Sequence, residues 1–177
     1  MQKLKNIELK RKNLTDFKMA KKTPLIIILD NVRSMNNVGS VFRSADAFLL
    51  EKIYLCGITA KPPHREIEKT ALGSTKSIEW EHNSSTLDVI KDLKKNGVII
   101  IAIEQTKESI FLENFKPISN QRYAFVLGNE VKGVSEKVLT NIDSAIEIAQ
   151  FGTKHSLNIS VCAGIIIWDF FNKINNL

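Results

Sequence analysis

The sequence predicts an α/β domain with a mainly parallel sheet, on three observations. Short apolar runs recur along the chain, stretches of helical spacing separate them, and three of the runs end abruptly in glycine, asparagine or serine. Strands that are apolar on both faces suit sheets covered by helices on both sides. In such sheets ligands sit beyond the strand ends, so three polar endings mark one edge as a candidate site.

The elements follow in order. Pro24 to Leu29 is an isoleucine-rich strand, and the next candidate strands are Ile53–Cys56, Val98–Ile103, Ala124–Leu127 and Ala145–Ile148. Helices are expected at about 38–49, 84–96 and 134–141, with Ser84 or Ser85 capping the second and Gly97 stopping it. The last helix is expected over 156–173, with Ser156 as a candidate cap. Five or six strands with interleaved helices give a single sheet flanked by helices. At 177 residues and 44% apolar content the chain suits one domain with a sizeable core.

Charge divides the chain in two. Residues 1–22 carry eight basic and two acidic residues, a net of +6, while the remainder balances seventeen against seventeen. Residues 1–23 are therefore read as a basic arm and 24–177 as the domain. Charge so unevenly placed suits a polyanion; the alternative is a solubilising tail. Leu4, Ile7, Leu14 and Phe17 are spaced to permit an amphipathic helix docked on the body. Cys56 and Cys162 lie in apolar stretches and read as reduced core thiols of a cytoplasmic protein. No run reaches the ~18 apolar residues that cross a bilayer. His64, His82 and His155 lack a second ligand at metal spacing, so no metal is expected. Neither G-x-G-x-x-G nor G-x-x-x-x-G-K-[ST] occurs.

The three polar endings are Asn37-Val38-Gly39 with Arg43, Leu127-Gly128-Asn129-Glu130 with Gly133, and Gly152 followed by Ser156-Leu157-Asn158-Ile159-Ser160. Together they resemble the three motifs of the SpoU class (TrmH-like) of SPOUT RNA 2′-O-ribose methyltransferases: N-x-G-x-x-x-R, L-G-x-E-x-x-G and G-x-x-x-S-L-N-V-S. The stretch Lys69 to Ser74, ending at Trp80, is similar to one common in that class. A departure is Ala149 in Ile148-Ala149-Gln150, where many members carry proline.

The resemblance implies a C-terminal trefoil knot threading the segment around 128–160, although chains as a rule do not thread. It implies S-adenosylmethionine as methyl donor, held by Leu127, Gly128, Ile148, Gln150, Gly152 and Leu157. Glu104, Gln105 and Thr106, just beyond another strand, are a weaker cofactor-loop candidate, with an ordinary polar loop as the alternative. Catalytic roles fall on Arg43, Asn37, Glu130, Ser156 and Asn158. Arg43 would polarise the ribose hydroxyl or lose a proton transiently, although guanidinium ordinarily stays charged. Asn37 would orient Arg43 or the ribose, with helix N-capping as its structural alternative. Glu130 would anchor Asn37, substrate or a backbone amide. A homodimer through the apolar last helix is implied, with Arg43 reaching the partner's site. The implied substrate is RNA: tRNA first, with a D-loop guanosine as the narrower reading, and rRNA second. A non-catalytic RNA-binding protein of the same fold is the rival.

Overall fold

A computed structural model describes residues 2–177 of the chain. The sheet grows from Thr23–Asp30 (β1), whose run of β-branched and aliphatic residues is buried almost throughout. Its alternation serves two cores. Leu25, Ile27 and Leu29 point to one face, and Ile26 and Ile28 to the other. The other strands are Leu50–Cys56 (β2), Glu79–Asn83 (β3), Ile99–Ile103 (β4), Ile110–Phe111 (β5), Tyr123–Leu127 (β6) and Ser144–Glu147 (β7). They form one seven-stranded sheet in the order β3-β2-β1-β6-β4-β7-β5. Every neighbouring pair is parallel.

The two strands outside the five candidates, β3 and β5, are edge strands, which takes the sheet past the expected five or six. β3 reads Glu-Trp-Glu-His-Asn, and only Trp80 is apolar; its ring meets Phe42 edge-on at 6.5 Å. Lys52 on β2 pairs with Glu79 and Glu81, so this edge is charged, which also discourages pairing with a further strand. β5 is two exposed residues beside β7, too short to leave a periodic signal.

The helices are Leu14–Met19 (α1), Met35–Ala47 (α2), Arg65–Ala71 (α3), Thr86–Lys95 (α4), Glu136–Leu139 (α5) and Ile159–Asn175 (α6). α1, α2, α3 and α6 cover one face of the sheet, and α4 and α5 the other. Among the described residues no helix is long and apolar enough to cross a membrane.

Several boundaries differ from the sequence reading for local reasons. α2 starts at Met35 because Ser34 is its cap: the Ser34 hydroxyl accepts the Asn37 N–H at 3.3 Å. Asn37 is therefore inside the first turn and not a cap. α6 starts at Ile159, capped by Asn158, so Ser156 is not the cap either. α4 is capped by Ser85, and Gly97 follows it at φ +71°. α5 keeps only four residues of the expected eight. α3 is not among the expected elements; His64 accepts the Glu66 N–H at its start.

The expected amphipathic arm helix is two short pieces, a 3-10 turn over Asn6–Leu9 and α1 capped by Asn13. Among its described side chains Phe17 anchors it in the core, with Lys22 stacked over the ring at 3.5 Å. Leu4 and Leu14 are exposed, and the Ile7 side chain lies outside the described residues.

β6 and α6 are joined by aromatic packing. Phe170 meets Phe125 and Tyr123 edge-on, each at 5.5 Å, and Phe115 extends the cluster. Phe170 is 1% exposed. Phe170→Ala is expected to lower the free energy of unfolding by about 3–5 kcal/mol, from lost apolar burial and the cavity left behind. Ile118→Ala, at a side chain 64% exposed, should change it by less than about 0.5 kcal/mol. Urea titration followed by circular dichroism distinguishes the two.

Candidate active site

The strand order reverses between β1 and β6, so the loops leaving their C-terminal ends diverge and open a crevice. Polar side chains bridge it. After β1 the chain turns through Asn31 at φ +57°, and the carboxamide of Asn129, after β6, donates to the Asn31 carbonyl at 2.8 Å. The same carboxamide's oxygen accepts the N–H groups of Val131 and Lys132. Asn129 and Gly133 then close the loop on themselves with paired backbone bonds of 3.0 and 2.8 Å.

Glu130 spans from this loop to the start of α2. One carboxylate oxygen accepts the Arg33 N–H at 2.9 Å; the other accepts the Ser34 N–H at 2.9 Å and the Asn37 amide at 3.2 Å. An anion at a helix start also opposes the helix dipole favourably. Partial burial favours the neutral acid, but the three donors outweigh it and hold the carboxyl below its ordinary range. Asn158 completes the chain by donating to the Asn37 carboxamide oxygen at 3.2 Å. Its own oxygen accepts the Ser160 N–H and hydroxyl at 2.9 and 2.7 Å. One hydrogen-bonded string, Glu130–Asn37–Asn158–Ser160, thus joins the three polar endings.

Beside the string lies an open cavity of about 560 Å³, a volume typical of small-molecule sites. Leu127, Gly128, Ile148, Gln150, Leu157 and Glu104 line it, as do Glu130, Ser156 and Asn158. Ile103, Ile146 and Ile159 supply apolar wall, while the loops offer backbone N–H and C=O groups. Gly128 must lack a side chain, because a Cβ there would strike the Gly133 and Val134 backbone. A slot with this apolar wall, exposed main chain and polar rim fits an adenosine-bearing cofactor, whose base needs flat apolar contact and backbone partners.

Four residues of interest lie elsewhere or behave differently. Gly152 does not line the cavity, and a Cβ on it would meet nothing within 4 Å. Thr106 turns away and bonds locally with Ser109 and Glu108. Cys162 is half-buried in the cavity wall, with burial and the nearby Glu104 charge pushing its thiol up to about 11. Arg43 is exposed and lines a second cavity of about 590 Å³ with Lys10, Arg11 and Lys12. Among the described residues Arg43 makes no ion pair, and no group of three His, Cys, Asp or Glu side chains gathers to hold a metal.

Sequence reasoning missed the Asn129 turn and the neighbours of Arg43. The first had a signal, an asparagine just after a strand and four residues ahead of Gly133; the second depends on where the arm folds.

Comparison with known proteins places this geometry. The chain is 30% identical over 165 residues to the tRNA (guanosine(18)-2′-O)-methyltransferase of Aquifex aeolicus (strain VF5), covering 92% of this chain and 76% of that one. It is 28% identical over 144 residues to the 23S rRNA (guanosine-2′-O-)-methyltransferase RlmB of Neisseria meningitidis serogroup B, covering 81% of this chain. This chain spans 56% of that relative's length. Among solved structures, an AdoMet-bound rRNA methyltransferase from Sinorhizobium meliloti superposes with a TM-score of 0.78 at 25% identity, over 87% of this chain and 59% of that one. The SpoU rRNA Methylase family matches residues 24–168, and the chain belongs to that family.

Proposed function

We propose that the protein transfers a methyl group from S-adenosylmethionine to a ribose 2′-hydroxyl of RNA. The observation that carries this reading is the string Glu130–Asn37–Asn158, of which Glu130 and Asn158 line the 560 Å³ cavity. Bound in the cavity, S-adenosylmethionine supplies an electrophilic sulfonium methyl. The chain's part is to align a hydroxyl with it and manage the charge that develops.

Glu130 is ionised and its oxygens already accept three donors, so it fixes the start of α2 and is not the proton acceptor. Asn37 and Asn158 are oriented by it, and with Ser156 they face the incoming ribose. Arg43 offers N–H donors to the developing oxyanion and the neighbouring phosphate.

Arg43 lies outside the cofactor cavity of its own subunit, which supports a homodimer in which it serves the partner's cavity. α6 supports the same assembly: Val161 and Trp168 are 52% and 56% exposed on a helix whose opposite side is core. The trefoil knot of residues 128–160 belongs to this reading. It is supported by the path from central β6 to β7, beyond β4, and back through α6 onto α2.

For the substrate we favour tRNA, since the relative at 30% identity is named for a tRNA guanosine; rRNA stands second. Lys10, Arg11 and Lys12 of the arm share a groove with Arg43, which suits an RNA strand whose phosphates lie beside the reacting ribose. A cytoplasmic location follows from that substrate. A non-catalytic RNA binder of the same fold would have no need of the cavity.

Arg43→Ala is expected to lower kcat by about 10²–10³-fold or more while leaving S-adenosylmethionine affinity unchanged. Methyl-transfer kinetics beside calorimetric titration check it, and full activity would remove Arg43 from the reaction. Replacing Lys10, Arg11 and Lys12 by alanine should weaken RNA binding and flatten its salt dependence by about 0.7 log unit for each phosphate no longer neutralised. An unchanged slope would mean the arm is only solubilising. Finally, Glu130 has a native pKa below its ordinary value of 4.5, so its stabilisation is complete above that value and is lost as pH falls through the native pKa. Glu130→Gln should remove that part of the acid-induced loss of stability, read as thermal midpoints between neutral and acidic pH.

A further inference from the structure

We propose that Glu104 and Gln105 form a clasp that sets the separation of the two loops gripping the methyl donor, acting as positioning residues for donor binding. The inference rests on the reading of the cavity as the S-adenosylmethionine site. β4 ends at Ile103, and the next two side chains reach to different loops, as alternation along an extended chain directs.

Glu104 reaches the loop after β6. Its backbone N–H donates to the Ile146 carbonyl at 3.0 Å, which fixes it to β7. One carboxylate oxygen accepts the Val134 N–H at 2.9 Å and the other accepts the Gln105 N–H at 3.0 Å. Gly133, at φ +65°, makes room for this: a Cβ there would strike the carboxylate. The carboxylate therefore fixes the far end of the loop that starts at Leu127-Gly128 and carries Glu130.

Gln105 reaches the loop after β7, donating from its amide to the His155 carbonyl at 3.2 Å. Among the described residues this is the hydrogen bond that tethers residues 150–157, which carry Gln150, Ser156 and Leu157 along the cavity. A loop held by so few bonds opens easily, and ordering it on ligand binding costs affinity. The clasp lowers that cost by holding both loops at the spacing the ligand requires.

Isosteric variants separate this role from a merely structural one. In Glu104→Gln the amide presents a donor where an acceptor is needed; Gln105→Leu removes the donor to His155 at an exposed position. Titration of the full chain with S-adenosylmethionine and with S-adenosylhomocysteine is expected to show Kd raised about tenfold for both ligands in either variant, the size of one missing hydrogen bond. The thermal midpoint of Gln105→Leu without ligand should stay at the wild-type value, because the position is exposed, and in both variants the loss of donor affinity is read as a raised Kd and KM. Gln105→Lys, which keeps a donor for the carbonyl, should retain wild-type affinity. Wild-type affinity in both Glu104→Gln and Gln105→Leu would overturn the clasp. So would weakened S-adenosylmethionine with unchanged S-adenosylhomocysteine, because that pattern assigns Glu104 a direct contact with the sulfonium charge. A wild-type protein that binds neither ligand would overturn the reading of the cavity and the clasp with it, a result distinguishable from failure of the variants alone.

Discussion

The constraint on which the site depends is the Glu130 carboxylate held across the crevice between β1 and β6. A charge at the tip of a loop after β6 takes up the N–H groups of Arg33 and of the cap residue Ser34, just ahead of α2. This contact joins two segments almost a hundred residues apart. It also leaves Asn37 inside the first turn of α2, aimed at the same carboxylate and at Asn158. Without it the Arg33 and Ser34 N–H groups would lose their protein partner, and Asn37 would keep only its contact with Asn158.

The sheet makes this constraint possible. β1 and β6 are adjacent, parallel and buried on both faces, so their C-terminal ends lie level, with Leu29 opposite Leu127. The aromatic cluster of Phe125, Tyr123 and Phe170 then fixes α6 against β6. Asn158, immediately ahead of α6, is thereby delivered to the end of the sheet where Glu130 stands. Rigid elements set the positions and short polar side chains make the final contacts, an arrangement suited to alignment-driven chemistry.

The central strands and the site motifs were legible in the sequence, because a strand buried on both faces is a continuous apolar run and its end is a sharp change of composition. Pro24–Leu29 and Ala124–Leu127 fall inside the observed strands. The elements that escaped are those whose signal is diluted. β3 is an edge strand with one apolar residue, β5 is two residues, and α3 has only Ile67 and Ala71 buried. Helix starts were misplaced where several capping residues compete: Ser34 and Asn37 both suit the start of α2, and Ser156 and Asn158 that of α6. Which one caps is decided by the partner across the crevice. The placement of Arg43 beside Lys10–Lys12 depends on the docking of Phe17, a tertiary event with no local signature.

The proposed reaction leaves a methyl group on an RNA ribose, a product that nucleoside analysis identifies. Incubating the purified protein with labelled S-adenosylmethionine and, separately, total tRNA and rRNA, followed by nuclease digestion and nucleoside mass analysis, tests it most directly. The expected product is a 2′-O-methylated nucleoside, from the tRNA pool first. A methyl group on a base, or none on either RNA despite cofactor binding, would contradict it.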